Sequence, residues 1–83
     1  MNNMRDIRLY IPQGITNEVF RVLNFGDRKH PGENWKKQSV ITHLWHAIGH
    51  IFHYLFIGKK DKETQCSHLA HAVCRLMFAM GVK

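Results

Sequence analysis

The spacing of apolar and polar positions along the chain predicts three helices. The longest pattern, SVITHLWHAIGHIFHYLFI, has the 3.6-residue period of a helix and predicts one from the N-cap Ser39 to about Ile57. A second pattern predicts a helix from the N-cap Ser67 to about Met80, and a shorter one predicts a helix from Asn17 to Phe25 behind the N-cap Thr16. The expected fold class is therefore all-α, a small bundle of three main helices.

The segments outside these helices are short or polar. Residues 1–14 alternate apolar and polar side chains up to Pro12, which predicts a short extended arm. Asp27 to Gln38 forms a polar loop with a turn at Pro31-Gly32, and residues 58–66 form a charged connector. No repeat or linker divides the sequence, so residues 1–83 are predicted to form a single domain.

The two sides of the later helices differ in chemistry. In each helix one side is apolar, and the opposite side carries histidines, at positions 43, 46, 50 and 53 in the first and at 68 and 71 in the second. We expect the apolar sides to form the core and the histidine sides to face solvent or a ligand. The predicted core positions are Val40, Leu44, Ile48, Ile51 and Leu55 in the first helix and Leu69, Val73, Leu76 and Met80 in the second.

The charge of the chain narrows the class of partner. Twelve lysines and arginines against six acidic residues give a net charge of +6, with seven histidines in addition. This balance favours an anionic partner. Histidines interrupt the apolar stretches, so no membrane association is expected, and nucleic-acid binding is not expected because charge alone supports it without a motif. The small size predicts a homo-oligomer, because association supplements a modest core.

Several features bear on location and cofactors. Residues 1–14 lack the apolar core of a signal peptide, and Cys66 and Cys74 lack a CxxC spacing, which predicts reduced thiols in the cytoplasm. Histidine pairs at i, i+3 spacing, such as His43 with His46, can chelate a transition metal when their rotamers converge. Because neither an HExxH motif nor a Cys/His quartet is present, we predict no metal and no other cofactor, and we assign no catalytic residue.

The histidine side of the last helix, which also carries Arg75, suits a phosphate ligand. Arginine offers a fixed fork of N–H donors, imidazoles add further donors, and the first N–H groups of the helix behind Ser67 favour an anion. Trp35 in the polar loop either stacks on a base or anchors the loop on the core. Histidines opposite an apolar side are also common as ordinary surface residues, and that interpretation stays open.

Two stretches, NEVFRVLNFGDRKHPGENWK at 17–36 and ETQCSHLAHAVCRLMF at 63–78, resemble a known family. This is the N-terminal domain of phage-type dATP/dGTP diphosphohydrolases, relatives of the MazG-like all-α nucleoside triphosphate pyrophosphatases. The matching positions are Phe25-Gly26, Lys29-His30, Asn34-Trp35, His50 and the HLAHA motif that begins at His68. The resemblance implies an all-α fold, a phage source and hence the host cytoplasm, and nucleotide ligands.

The sequence departs from the family pattern in ways that bear on mechanism. Gly49 replaces an arginine, Lys59-Lys60 replaces an acidic pair, Gln65-Cys66-Ser67 replaces a Gly-Leu-Pro spacer, and the histidines at 43, 46 and 53 are additional. None of the six carboxylates falls on the histidine sides of the two later helices. Hydrolysis of a triphosphate with Mg²⁺ needs convergent carboxylates. The sequence therefore favours binding over turnover.

The leading hypothesis is a phage nucleotide-binding protein that sequesters a phosphorylated, nucleotide-derived molecule. Its use would be as an anti-defence sponge for a host immune signal such as a cyclic oligonucleotide or an ADP-ribose derivative. The alternative is a (d)NTP pyrophosphohydrolase that releases monophosphate and pyrophosphate. The candidate ligand-binding residues are Arg28, Lys29, His30, Asn34, Trp35, Lys36, His50, His68, His71 and Arg75.

Overall fold

A computed structural model describes residues 10–82, and in this range the fold is all-α, as predicted. Its helices are α1 (Gln13–Lys29), a 3-10 helix (Asn34–Lys37), α2 (Val40–Phe56) and α3 (His68–Gly81). The predicted N-caps of α2 and α3 are confirmed, because Ser39 Oγ accepts the N–H of Thr42 and Ser67 Oγ accepts the N–H of Leu69. Among these residues, no helix combines the length and apolarity that crossing a bilayer requires.

The first helix is longer than the sequence predicted. It begins at Gln13 behind Pro12 rather than at Asn17, and it continues to Lys29 rather than ending at Phe25. Proline has no N–H to leave unpaired and its φ is already near the helical value, so it suits a helix start. Residues 1–9 of the predicted arm lie outside the described residues, and the arm's last two residues, Gln13 and Gly14, belong to α1.

α3 lies between the other two long helices and contacts both of them. On the α1 side, Val19 and Val22 pack against small residues of α3 and of the segment before it, including Cys66 and Cys74. Burial raises the pKa of the Cys74 thiol to about 11, so this cysteine serves packing. The Glu18 carboxylate accepts the N–H of Ser67, which ties α1 to the start of α3.

The orientation of α2 and α3 reverses the expectation for their two sides. His43 is 0% exposed and His68 is buried, whereas Ile48 and Leu55 are 53% and 64% exposed. α2 therefore packs on α3 through the part of its histidine side that carries His43 and His50, while His46 and His53 are exposed. Most of the side predicted to form the core faces outward. The apolar residues left exposed on α2 and α3 include Ile41, Trp45, Ile48, Ile51, Phe52, Leu55, Leu69, Val73, Leu76 and Met80.

The connector before α3 is held by Asp61. Its Oδ1 accepts the N–H groups of Glu63 and Thr64, and the Asp61 N–H donates to the carbonyl of Cys66. Burial alone would raise the pKa of Asp61, but the hydrogen bonds from Thr64 and the nearby histidine at 71 outweigh it, so the net pKa is lowered. Gln65 has a φ of +60°, a backbone conformation that favours glycine. It stands at the first position of the segment that replaces the Gly-Leu-Pro spacer of the family that the sequence resembles.

Candidate functional site

A cleft of about 420 Å³ lies between the C-terminal end of α1, the 3-10 helix and α3. Its volume is within the range of pockets that hold small-molecule ligands. It brings together six of the ten candidate residues, although α1, the loop and α3 contribute them from separate parts of the sequence. These six are Lys29, His30, Asn34, Trp35, His71 and Arg75.

Arg75 is a half-buried cation with neutral partners. Its Nη1 donates to Gln38 Oε1 at 2.7 Å and to His43 Nδ1 at 3.1 Å. Among the described residues it forms no ion pair with a carboxylate. Burial lowers the pKa of the guanidinium, which remains charged because its ordinary pKa is so high. A partly desolvated charge without a counter-ion favours binding of an anion in the cleft.

His43 connects Arg75 to the 3-10 helix. Arginine can only donate, so Nδ1 of His43 accepts from it, and Nε2 carries the hydrogen that is donated to the Trp35 carbonyl at 2.8 Å. The sequence missed this role because it placed His43 on the outward side of α2. Only the packing of α2 on α3 shows that the ring is buried.

Trp35 anchors the loop, which was one of its two predicted roles. Its ring stacks on Phe78 of α3, with centroids 5.2 Å apart and planes 14° from parallel. The ring also passes close to Gly81, where an added Cβ would lie 3.2 Å from two ring carbons. Because Trp35 also lines the cleft, the same side chain holds the 3-10 helix and forms part of the cleft wall.

The remaining histidines of the seam between α2 and α3 form a cluster. His50 Nδ1 and His68 Nδ1 lie 2.9 Å apart, and the His50 ring stacks on His71 with centroids 4.7 Å apart. One hydrogen is shared between the two Nδ1 atoms, so one ring donates and the other accepts. Burial, followed by the charges of His71 and His68, lowers the pKa of His50 to about 4. His50 and His68 do not line the cleft, but both rings contact His71, which does.

His71 reaches from this cluster into the cleft. Its Nε2 lies 2.8 Å from Thr64 Oγ1, and that hydroxyl donates to Asp61 Oδ1 at 3.3 Å. With its hydrogen given to Asp61, the hydroxyl accepts from Nε2–H of His71, and Nδ1 keeps its lone pair. Burial lowers the pKa of His71, although Asp61 acts in the opposite direction, so this ring is a neutral base.

Three carboxylates line the cleft, although none of them belongs to the histidine sides of α2 and α3. Asp27, Glu33 and Glu63 all line the cleft. They approach it from α1 and from the loops, which the helix patterns of α2 and α3 do not reveal. Lys29 Nζ lies 3.0 Å from Glu63, and Lys36 pairs with Glu33, so two of the three are neutralised by lysines. Among residues 10–82, no group of three or more His, Cys, Asp or Glu side chains is arranged to hold a metal ion.

The other candidates lie outside the cleft. Lys36 is exposed beside Glu33, with its amine 5.7 Å from the centre of the Trp35 ring. Arg28 is exposed and lines a separate cavity of about 390 Å³, on which Arg21 also lies. At the start of α3, where an anionic ligand was expected, the Glu18 carboxylate of the chain itself accepts the N–H of Ser67. That position needs no external anion.

Comparison with known proteins bears on this arrangement. The profile of the family described as dATP/dGTP diphosphohydrolase, N-terminal, matches residues 3–83. The chain belongs to this family. It is 35% identical over 63 residues to the dATP/dGTP diphosphohydrolase of Salmonella phage PMBT28, and the alignment covers 76% of this chain and 22% of that relative. No solved structure matches the chain.

The family match confirms the resemblance that the sequence indicated, and it includes every residue of the cleft. The relative belongs to a phage, in agreement with the predicted kind of source. This chain spans only about a fifth of the length of that relative. What the longer family protein does as a whole therefore enters only as a proposal.

Proposed function

We propose that the cleft binds the phosphates of a purine deoxynucleoside triphosphate and that the domain acts in its hydrolysis to monophosphate and pyrophosphate. Arg75 is the observation that supports the proposal most strongly, because it is a half-buried guanidinium without a carboxylate partner. The name of the phage relative, dATP/dGTP diphosphohydrolase, supplies the class of substrate and reaction. This was the alternative hypothesis from the sequence, and the comparisons favour it over sequestration.

The cleft offers a separate group for each part of such a ligand. Nη1 of Arg75 is occupied by Gln38 and His43, which leaves Nη2 and Nε to bind phosphate as a fork. Lys29, which pairs with Glu63, and His30 line the same cleft and add N–H groups that can donate to phosphate. Asn34 and the exposed part of Trp35, both in the 3-10 helix, line the cleft and suit a base, through amide hydrogen bonds and ring contact.

His71 is the group that suits activation of water. In the proposed step, water attacks the α-phosphorus and its proton passes to the Nδ1 lone pair of His71. The bond between the α-phosphorus and the bridging oxygen breaks, and pyrophosphate leaves with that electron pair. The lowered pKa keeps the imidazole neutral at pH 7, and Asp61, through Thr64, orients the ring and stabilises the imidazolium that forms. No step is assigned to a metal, because the described residues do not fit one.

Binding without turnover is the second candidate, and the paired carboxylates favour it. Glu63 and Glu33 each pair with a lysine, which reduces the net negative charge that could hold a cation or activate water. Such a cleft would retain a nucleotide rather than cleave it. The finer prediction of an anti-defence sponge for a cyclic oligonucleotide or an ADP-ribose derivative receives no support from the comparisons. The cytoplasmic location stays a prediction.

One experiment separates the two candidates. The protein is incubated with dATP or dGTP, with and without Mg²⁺, then heat-denatured, and the nucleotides are quantified. We expect deoxynucleoside monophosphate and pyrophosphate to accumulate over many turnovers. Recovery of intact nucleotide at stoichiometric yield would instead establish sequestration, and the absence of both products and bound nucleotide would reject the proposed function.

We also propose that the chain forms a homodimer through the exposed apolar sides of α2 and α3, here called the outer face. Its central residues are Ile41, Trp45, Ile48, Ile51, Phe52 and Leu55 of α2 and Leu69, Val73 and Leu76 of α3. Their exposed surface is on the order of 1,000 Å², comparable to the roughly 800 Å² that each partner buries in a standard interface.

A second copy fits the outer face better than a charged partner does. α2 contains no Asp, Glu, Lys or Arg, so two copies can approach there despite a net charge of +6 each. Pairing α2 and α3 of two copies about a two-fold axis gives a four-helix arrangement. Analytical ultracentrifugation at micromolar concentration should show a dimer, and a monomer under these conditions would contradict this part of the proposal.

A further inference from the structure

We propose that His43 is a positioning residue for Arg75, which fixes the guanidinium so that its Nε and Nη2 face the phosphate site. This inference rests on the proposed role of the cleft in binding phosphate. His43 is not among the residues that line the cleft. It also lies outside the motifs by which the chain resembles its family.

The geometry around Arg75 supports this role. The two hydrogens of Nη1 are taken by Gln38 Oε1 and His43 Nδ1, at 2.7 and 3.1 Å. Two acceptors on one nitrogen fix the plane of a guanidinium, which otherwise rotates on a flexible stem. Gln38 is only partly buried at the rim of the loop, whereas His43 is 0% exposed, so the histidine is the rigid member of the pair.

The carbonyl of Trp35 determines which nitrogen of His43 accepts. By accepting Nε2–H at 2.8 Å it selects the tautomer whose Nδ1 has a free lone pair, and that lone pair faces Arg75. His43 thereby links the 3-10 helix that carries Trp35 to the Arg75 guanidinium of α3. A hydrocarbon side chain would fill the same space without orienting Arg75.

Two conservative variants separate the two hydrogen bonds of His43. In His43→Asn the side-chain oxygen falls near the position of Nδ1 and still accepts from Arg75. In His43→Gln the amide nitrogen falls near Nε2 and still donates to the Trp35 carbonyl, but the acceptor for Arg75 is lost. Both are polar and similar in size, so thermal unfolding should show a comparable loss of stability in each.

The first readout uses the chain without any ligand. ¹⁵N relaxation of the Arg75 Nε–H group should show an ordered side chain in the wild type and in His43→Asn, and a mobile one in His43→Gln. Equal order in the wild type and His43→Gln would overturn the proposal. This readout remains decisive even if the cleft binds no nucleotide.

The second readout is the affinity for inorganic pyrophosphate, measured by titration calorimetry. His43→Gln should weaken binding about tenfold, as expected for a lost orienting contact to a charged group, whereas His43→Asn should stay within about threefold of the wild type. In an Arg75→Gln background, His43→Gln should cause no further loss. Independent, additive losses would reject a role through Arg75, and failure of the wild type to bind pyrophosphate or dATP would reject the proposed function itself.

Discussion

The orientation of α2 is the reverse of that of a usual surface helix, because its polar side faces the protein and its apolar side faces away from it. Toward α3 lies a polar seam, which contains His43, His50 and His68 and in which each ring has a hydrogen-bond partner. Away from α3 lies the apolar outer face, with side chains such as Trp45 at 66% exposure. Among the described residues, no buried side-chain N or O atom lacks a partner. Burial of these polar groups is therefore compensated, and the outer face is the surface that the proposed dimer would bury.

This difference shows that an amphipathic pattern identifies two sides of a helix but not which one faces inward. The buried apolar residues within 10–82 are mainly small, and one packed group joins Val19 and Val22 of α1 to Cys66, Ala70 and Cys74. A core of this size contributes little to the stability of 83 residues. The seam determines the chemistry of the cleft, and the outer face offers the additional burial. Four experiments test this division, from the largest expected effect to the smallest.

The largest effect is expected for a charge on the outer face. Ile48→Lys would place an unpaired cation in each half of the proposed dimer interface and should weaken the dimer by more than about 100-fold. Sedimentation velocity over a range of concentrations measures this change. Ile15→Lys on α1 is the matched control, because Ile15 and Ile48 are 55% and 53% exposed, and it should leave the dimer intact. Equal effects of both substitutions would contradict the proposed interface.

The next largest effect is expected for Arg75, the cleft residue that donates a hydrogen bond to His43 of the seam. Arg75→Gln removes the charge and the fork of donors, and it should weaken binding of dATP or pyrophosphate by roughly 10- to 100-fold. Titration calorimetry measures the loss. Arg21→Gln, at an exposed arginine of the other cavity, should change the affinity by less than about threefold. If the two arginine variants bind equally well, Arg75 is not the phosphate-binding group.

The seam should also make stability depend on pH. The pKa of His50 is lowered from 6.5 to about 4, and that of His71 is lowered as well, chiefly by burial. The unfolded chain therefore binds more protons than the folded one below pH 6.5, and the free energy of unfolding should fall as the pH falls from 6.5 toward 4. Urea unfolding at pH 7.5, 6.5, 5.5 and 5 measures this slope. His50→Gln should reduce it, and a slope unchanged by this substitution would contradict the burial of His50 against His68 and His71.

The smallest effect is expected for an exposed ion pair at the edge of the cleft, which belongs neither to the polar seam nor to the outer face. Lys29 and Glu63 form an ion pair at 3.0 Å, but their side chains are 50% and 55% exposed. Exposed pairs contribute little, so Lys29→Ala should lower the free energy of unfolding by less than about 1 kcal/mol. Thermal unfolding measures this against Lys37→Ala, which removes an exposed lysine of the 3-10 helix. A larger loss for Lys29→Ala would mean that the pair helps to hold α1 against the connector.

The sequence predicted the parts of this protein that depend on neighbouring residues. The serines before α2 and α3 cap the helices to which they belong, and the HLAHA motif at 68–72 identified the family. The end points of α1 were wrong, because the weak local preferences of Thr16 and Gly26 do not outweigh the continuation of the helix across them.

Only the tertiary structure decided which side of α2 and α3 faces inward and which residues meet in the cleft. The sequence placed Arg75 and Trp35 in one candidate site, but it did not reveal that His43 joins them or that Asp27, Glu33 and Glu63 line the same cleft. Helical periodicity shows only that the two sides of a helix differ in polarity. Which side faces inward depends on the total free energy of the contacts that each orientation makes with the rest of the protein. In this protein hydrogen bonds satisfy the buried polar groups, so His43, His50 and His68 lie between the helices, while His46 and His53 stay exposed.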